Sequence, residues 1–269
     1  MVQLHIKKED ESQFLYKTSV NSSVDECYES VFMIYNGRLK ISRICNEIDL
    51  LKQFGIMYQP NIIGLTEEQI SELQLTDEWS DKCSPNGGFI ENKDPTGRRN
   101  GRQPTEKMQE VLTKATEEAR AQISKKQVQA GVFLSAKHVQ DTLDMLQGSI
   151  LIVYPMNLPP HDVIRKEFEN CEDLTDSHYS TEVIEVSLAQ LWFSNKLLER
   201  GKKLSDYIGK NEKTKVVLKI TKSGSGPPLR EPLINDEEKK LMMLHSYRRQ
   251  EELKESFCDC WLFIELKPS

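Results

Sequence analysis

The sequence predicts an α+β fold, and three observations carry that prediction. Val2, Leu4 and Ile6 alternate with polar neighbours, and beyond the turn-like Lys8-Glu9-Asp10-Glu11-Ser12 run Phe14 and Tyr16 alternate again, the pattern of a hairpin with one buried face. An apolar stripe of helical spacing follows directly. Far along the chain, Val216, Leu218 and Ile220 alternate with Val217, Lys219 and Thr221, a strand free to close the sheet begun at Val2. Strand, strand, helix is the opening of a β-grasp (ubiquitin-like) unit, an opening shared with other α+β folds. The residues between are then a large helical insertion or a helical second part.

Each element has a local reason. Ser23 and Glu26 form a capping-box pattern ahead of Cys27, Val31, Ile34 and Tyr35 on one helical face, and Asn36-Gly37 is expected to stop that helix. A second stripe runs through Ile41, Ile44, Ile48 and Leu51 to near Gly55. Thr66 and Gln69 cap a short helix through Leu73. From Ser84-Pro85-Asn86-Gly87-Gly88 to Gly101 the chain is dense in turn residues and reads as a long exposed loop, the best candidate boundary. A helix from Pro104 to about Ala130 carries Met108, Leu112, Ala115, Ala119 and Ile123; so narrow and alanine-rich a stripe suits close packing on one helix, and Val139, Leu143 and Leu146 offer the matching face. Ile150-Leu151-Ile152-Val153-Tyr154, between Gly148 and Pro155, reads as a buried strand. A helix at Val163 to Phe168 is followed by a polar loop and then a longer helix with Ile184, Leu188, Leu191, Trp192 and Leu198. Asn235 with Glu238 caps a helix rich in Lys, Arg and Glu from Asp236 to about Glu255. The organisation expected is therefore an α+β part over 1–83, an exposed loop over 84–103, a helical part with short strands over 104–234, and a charged helix with a tail over 235–269.

Composition excludes several classes. The chain has 269 residues, 38% hydrophobic and 29% charged, enough to bury a sizeable core as one large domain or two ordinary ones. No apolar run approaches the roughly 20 residues that span a bilayer, and the N-terminus has no apolar signal region, so the expectation is a cytoplasmic protein with no membrane partner. The six cysteines are scattered without a C-x-x-C pair, and only Cys258-Asp259-Cys260 is close-spaced; the five histidines are equally dispersed, so no metal and no cofactor are expected. There is no G-x-G-x-x-G, G-x-S-x-G or H-E-x-x-H, and Gly209-Lys210 fails as a phosphate loop because Leu204 stands where the earlier glycine belongs. The chain is read as no enzyme, with no catalytic residues and no small-molecule substrate.

Charge points to a partner. The net charge is -6, yet residues 1–92 carry -7, residues 93–126 carry +4 and residues 196–222 carry +6. Lys202, Lys203, Lys210, Lys213 and Lys215, with Arg230, Arg248 and Arg249 beyond, are the candidate partner-binding residues. Such a cluster suits nucleic acid, an anionic membrane or an acidic protein surface, or is simply a solvated face. Nucleic acid ranks low, since no aromatic interleaving or helix-turn-helix signature accompanies the lysines and the pI is about 5.6.

Several segments carry a resemblance. Tyr35-Asn36-Gly37-Arg38-Leu39-Lys40, Gly97-Arg98-Arg99-Asn100-Gly101, Ile123-Ser124-Lys125-Lys126-Gln127-Val128, Ile152-Val153-Tyr154-Pro155-Met156, Leu204 to Lys215, Arg230-Glu231-Pro232 and Tyr247 to Lys254 lie in collinear order. Together they resemble the Kurly family of cilia- and flagella-associated proteins, from Met1 to about Glu255. The tail from Ser256 departs, reading Phe257-Cys258-Asp259-Cys260-Trp261-Leu262-Phe263-Ile264 where the family continues with an acidic, polar extension. The resemblance implies a non-enzymatic interaction factor for motile cilia, acting in cytoplasmic assembly of outer dynein arms and in cilium positioning and planar polarity. It implies a cytoplasmic and basal-body location, and as partners other dynein-arm assembly factors, chaperones or dynein subunits. The competing expectation is a structural axonemal component binding the microtubule doublet through the same basic surface. A ubiquitin-like adaptor is a third; with no C-terminal Gly-Gly, conjugation is not expected.

Overall fold

A computed structural model of the chain describes residues 1–175, 177–228 and 239–251. Residues 1–228 form one unit and residues 229–269 another. In chain order the first unit holds β1 (Val2–Lys8), β2 (Glu11–Thr18), α1 (Val24–Phe54), α2 (Glu67–Glu72), α3 (Glu78–Lys82), β3 (Phe89–Glu91), β4 (Arg102–Pro104), α4 (Glu106–Ile123), α5 (Lys126–Gln129) and α6 (Ala136–Val153). It continues with α7 (Val163–Phe168), α8 (Tyr179–Glu182), a 3-10 turn (Val186–Leu188), β5 (Ala189–Phe193), β6 (Lys196–Leu197), α9 (Ser205–Ile208) and β7 (Lys215–Lys222).

The five main strands lie in the order β2-β1-β7-β5-β6, with β7 parallel to β1 and the other pairs antiparallel. A hairpin, a helix across its face and a late strand returning beside the first is the β-grasp arrangement, as expected, and β7 occupies the centre. Period-2 alternation sets one face: Val2, Leu4 and Ile6 of β1 and Val216, Leu218 and Ile220 of β7 are buried against α1. Helix α1 begins where the sequence places it, with the Ser23 hydroxyl accepting from the Glu26 N–H at 3.1 Å. At Thr66 both halves of the capping box form, at 3.3 and 2.9 Å.

Three expectations are corrected. Asn36-Gly37 does not stop α1, which runs unbroken from Val24 to Phe54. Its 31 residues span about 46 Å, twice the roughly 23 Å of a seven-residue strand, so its second half extends beyond the sheet as a platform for the insertion. Second, Ile150–Val153 is not a strand but the last turn of α6. Leu146, Ile150 and Val153 are buried at helical spacing while Leu151 and Ile152 are 41% and 55% exposed. Third, Leu191 and Trp192 lie on β5, paired with β7, rather than on a helix.

The insertion between α1 and β5 packs on α1. Its Leu112, Ala115 and Ala119 on α4 and Val139 and Leu146 on α6 join the same core as the sheet, so the alanine-rich stripe finds α6 and α1 as its partners. Polar ties fasten it. Asn36 Nδ2 donates to the Ile184 carbonyl at 2.7 Å and Asn36 Oδ1 accepts from the Ile184 N–H at 3.2 Å. Arg43 grips Glu167 through two hydrogen bonds of 2.6 and 2.9 Å, both side chains buried. Arg99 donates to the Gly55 carbonyl at 2.8 Å and to Glu47 at 2.7 Å. The 84–103 segment thus carries β3, β4 and the buried Asp94 and Arg99 as well as exposed turns.

A candidate protein-interaction surface

The five lysines from 202 to 215 meet at one end of the sheet, where β1 and β7 begin, β2 ends and α1 starts. Leu204, fully buried, anchors the first pair. Around it the Val24 N–H donates to the Lys202 carbonyl at 2.8 Å, the Leu204 N–H to Ser22 at 3.2 Å and the Ser205 N–H to Val20 at 3.0 Å. These bonds hold Lys202 and Lys203 beside the N-terminus of α1, whose dipole adds positive potential there. Lys210 and Lys213 lie on the turn before β7, closed by Asn211, whose side chain accepts from the Lys213 N–H at 3.0 Å. Lys215 opens β7 opposite Gln3.

Neutralisation is partial. Lys202 pairs with Glu199 at 2.6 Å, and that hydrogen bond and charge raise its pKa. The terminal amine takes Glu212 at 3.2 Å, and Asp25 accepts from the Gly201 N–H at 2.8 Å. Among the described residues the side chains of Lys203, Lys210, Lys213 and Lys215 have no carboxylate partner, while the Lys203 N–H donates to Asp206 at 3.2 Å.

The whole +6 stretch does not form one face. Lys222 lies about 23 Å from Lys215 at the far end of β7, Lys219 pairs with Asp10, and Arg200 stacks over the Tyr28 ring at 4.9 Å. Register adds a residue that composition overlooks: Lys17, across from Gln3 on β2, stands in one row with Lys215 on the uncovered face of the sheet and lies over the Phe133 ring at 3.8 Å. Pairing register was the signal for it. Further along that face Val217 is 41% exposed beside His5. Of the remaining candidates, Arg248 and Arg249 lie on the helical residues 239–251 of the second unit, exposed together with Leu241, Met242, Met243, Leu244 and Tyr247. Arg230, Cys258, Cys260 and the tail lie outside the described residues. Among the described residues no metal-ligating cluster occurs, and no helix is long and apolar enough to cross a membrane.

These features define a β-grasp protein whose long helix carries a large insertion and whose strand-starting end presents lysine side chains without carboxylate partners among the described residues. A sequence profile described as cilia- and flagella-associated protein 298 matches residues 189–258, and the protein of that name from Rattus norvegicus is 55% identical over 240 residues, 89% of this chain and 83% of the relative. The chain belongs to the cilia- and flagella-associated protein 298 family. The Homo sapiens member is 54% identical over 87% of this chain and 81% of its own, and the Drosophila melanogaster member 51% identical over 94% and 87%. No solved structure matches the chain. The resemblance carried by short segments therefore holds at the level of this family.

Proposed function

We propose that the protein is a non-enzymatic interaction factor for motile cilia, acting in the cytoplasm and near basal bodies in assembly of outer dynein arms and in cilium positioning. The observation that carries the reading is identity above 50% to cilia- and flagella-associated proteins over most of both chains. The lysine end supplies a physical means. Four lysine side chains with no carboxylate partner among the described residues attract an acidic surface over roughly 10 Å, a Debye length at moderate salt, and set association rate more than final affinity. Assembly factors, chaperones or dynein subunits with acidic patches are the partners this chemistry suits.

The test combines charge reversal with fractionation. Lys210→Glu, Lys213→Glu and Lys215→Glu together should weaken recovery of dynein chains and assembly factors from the cytosol of ciliating cells by about tenfold or more, with little effect on thermal stability. Unchanged recovery removes this surface from the mechanism. Stoichiometric recovery with tubulin from salt-washed axonemes would replace the assembly reading with a structural axonemal one.

A further inference from the structure

A cleft of about 370 Å³ opens where the β1–β2 hairpin, α1 and the C-terminal end of α4 meet. Two of the segments singled out in the sequence face each other across it: Tyr35, Arg38 and Leu39 from one side, Ile123, Ser124 and Lys125 from the other. Arg38 forms its inner wall and is only 8% exposed. Its Nε and Nη2 donate to the Ile123 carbonyl at 3.0 and 2.9 Å, and Nη1 reaches Gln13 Oε1 at 3.4 Å. All of these acceptors are neutral. Two of the five guanidinium N–H groups have no acceptor among the described residues, and no carboxylate lies within ion-pair distance. Burial pulls the Arg38 pKa down to about 10, which leaves it charged at neutral pH.

Lys8 adds a second cation, whose charge also acts on the Glu11 carboxylate. Its Nζ donates to Tyr35 Oη at 2.9 Å and has no carboxylate partner among the described residues. Of the other charges of the cleft, Glu11 is matched by Lys125 and Arg120 by Asp49 at 2.6 Å, and Glu182 stands at the rim without a Lys or Arg partner among the described residues. A buried guanidinium without a counterion is costly, and buried charges are ordinarily paired. Two cations lining one cleft suit a dianion, which a phosphoryl group supplies at one centre and which the planar arginine fork fits.

We propose that this cleft binds a phosphoryl group, with Arg38 and Lys8 as its ligands and Lys125 and Arg120 at its mouth. The volume admits a pyrophosphate-sized compound or the side chain of a phosphorylated residue. The inference is independent of the lysine end of the sheet, since none of those lysines lines the cleft.

Titration calorimetry on the full chain tests it, with pyrophosphate and phosphoserine as separate probes and sodium chloride at matched ionic strength as control. Saturable binding of either probe, weakened about tenfold or more by Lys8→Gln and unchanged by the Lys210, Lys213 and Lys215 reversal, is the expected result. Tighter pyrophosphate marks a free phosphate compound; tighter phosphoserine marks a modified partner. Arg38→Gln also cuts the tie to Ile123, so Lys8→Gln, at the half-buried end of β1, is the deciding variant. Heats no larger than those of chloride, or pyrophosphate and phosphoserine binding indifferent to Lys8→Gln, would overturn the site.

Discussion

Asp94 organises the turn that closes onto the far end of α1. Its carboxylate accepts from the Thr96 N–H at 2.9 Å, the Thr96 hydroxyl, the Arg98 N–H at 3.0 Å and the Arg99 N–H at 2.9 Å. Burial pushes the carboxyl up, but the hydrogen bonds from Thr96, Arg99 and Arg98 outweigh it and hold the group below the usual carboxylate range. A depressed pKa contributes stability that is present above the unfolded value near ~3.9 and lost as pH falls through the folded one. Asp94→Asn should therefore lower stability by about 1–3 kcal/mol at pH 7, the gap to the parent closing below about pH 4. Urea melts at pH 7 and pH 3 check this; an equal gap at both would show that charge is not what the turn uses. The sequence marks this stretch as turn-rich but not as the place where Arg99 seizes Gly55 and Glu47, because the partners lie over forty residues away. Gly55 itself sits at φ +77°, where a Cβ would stand 2.5 Å from Asn100 Oδ1, so the close approach requires glycine.

At the level of elements, what was legible is what is local. The hairpin, the Ser23 cap, the Thr66 capping box and β7 follow from alternation and capping chemistry alone. The Asn36-Gly37 pair is a fair local stop signal that tertiary contacts override. Asn36 spends its amide on the Ile184 backbone, and Gly37 lets α6 approach so closely that a Cβ there would lie 2.5 Å from Val139 Cγ1. Ile150–Val153 misled for a related reason, since a β-branched run fits a strand or a half-buried helix equally until its two faces are seen. Gly37→Ala sets two effects against each other: helix propensity gains about 1 kcal/mol, while crowding a stiff, branched valine costs about 1–3 kcal/mol. Net destabilisation of about 1 kcal/mol is expected, partly relieved in the Gly37→Ala, Val139→Ala double variant, as denaturant midpoints will report. A stabilised Gly37→Ala would mean that α1 and α6 are looser than the packing implies.

For the whole molecule, residues 1–228 are one unit and β7 is its keystone, the strand between β1 and β5. Truncation after Thr214 should abolish the cooperative unfolding of this unit, since it strips two strands of their shared neighbour. Circular dichroism melts check this, and a cooperative transition after Thr214 would deny β7 that role. The charge cluster was legible as composition over 196–222, but which lysines gather was not, because strand register and the Leu204 anchor decide it. The central position of β7 also imposes a schedule on a growing chain. β1 ends at Lys8 and its parallel partner begins at Lys215, so at ~5–20 residues per second the hairpin waits about 10–40 s for its neighbour to be synthesised. Through that interval one edge of β1 is open. The helices that cover the other side of α1 are made first, so the newborn chain can shelter half of its longest helix before the sheet is complete.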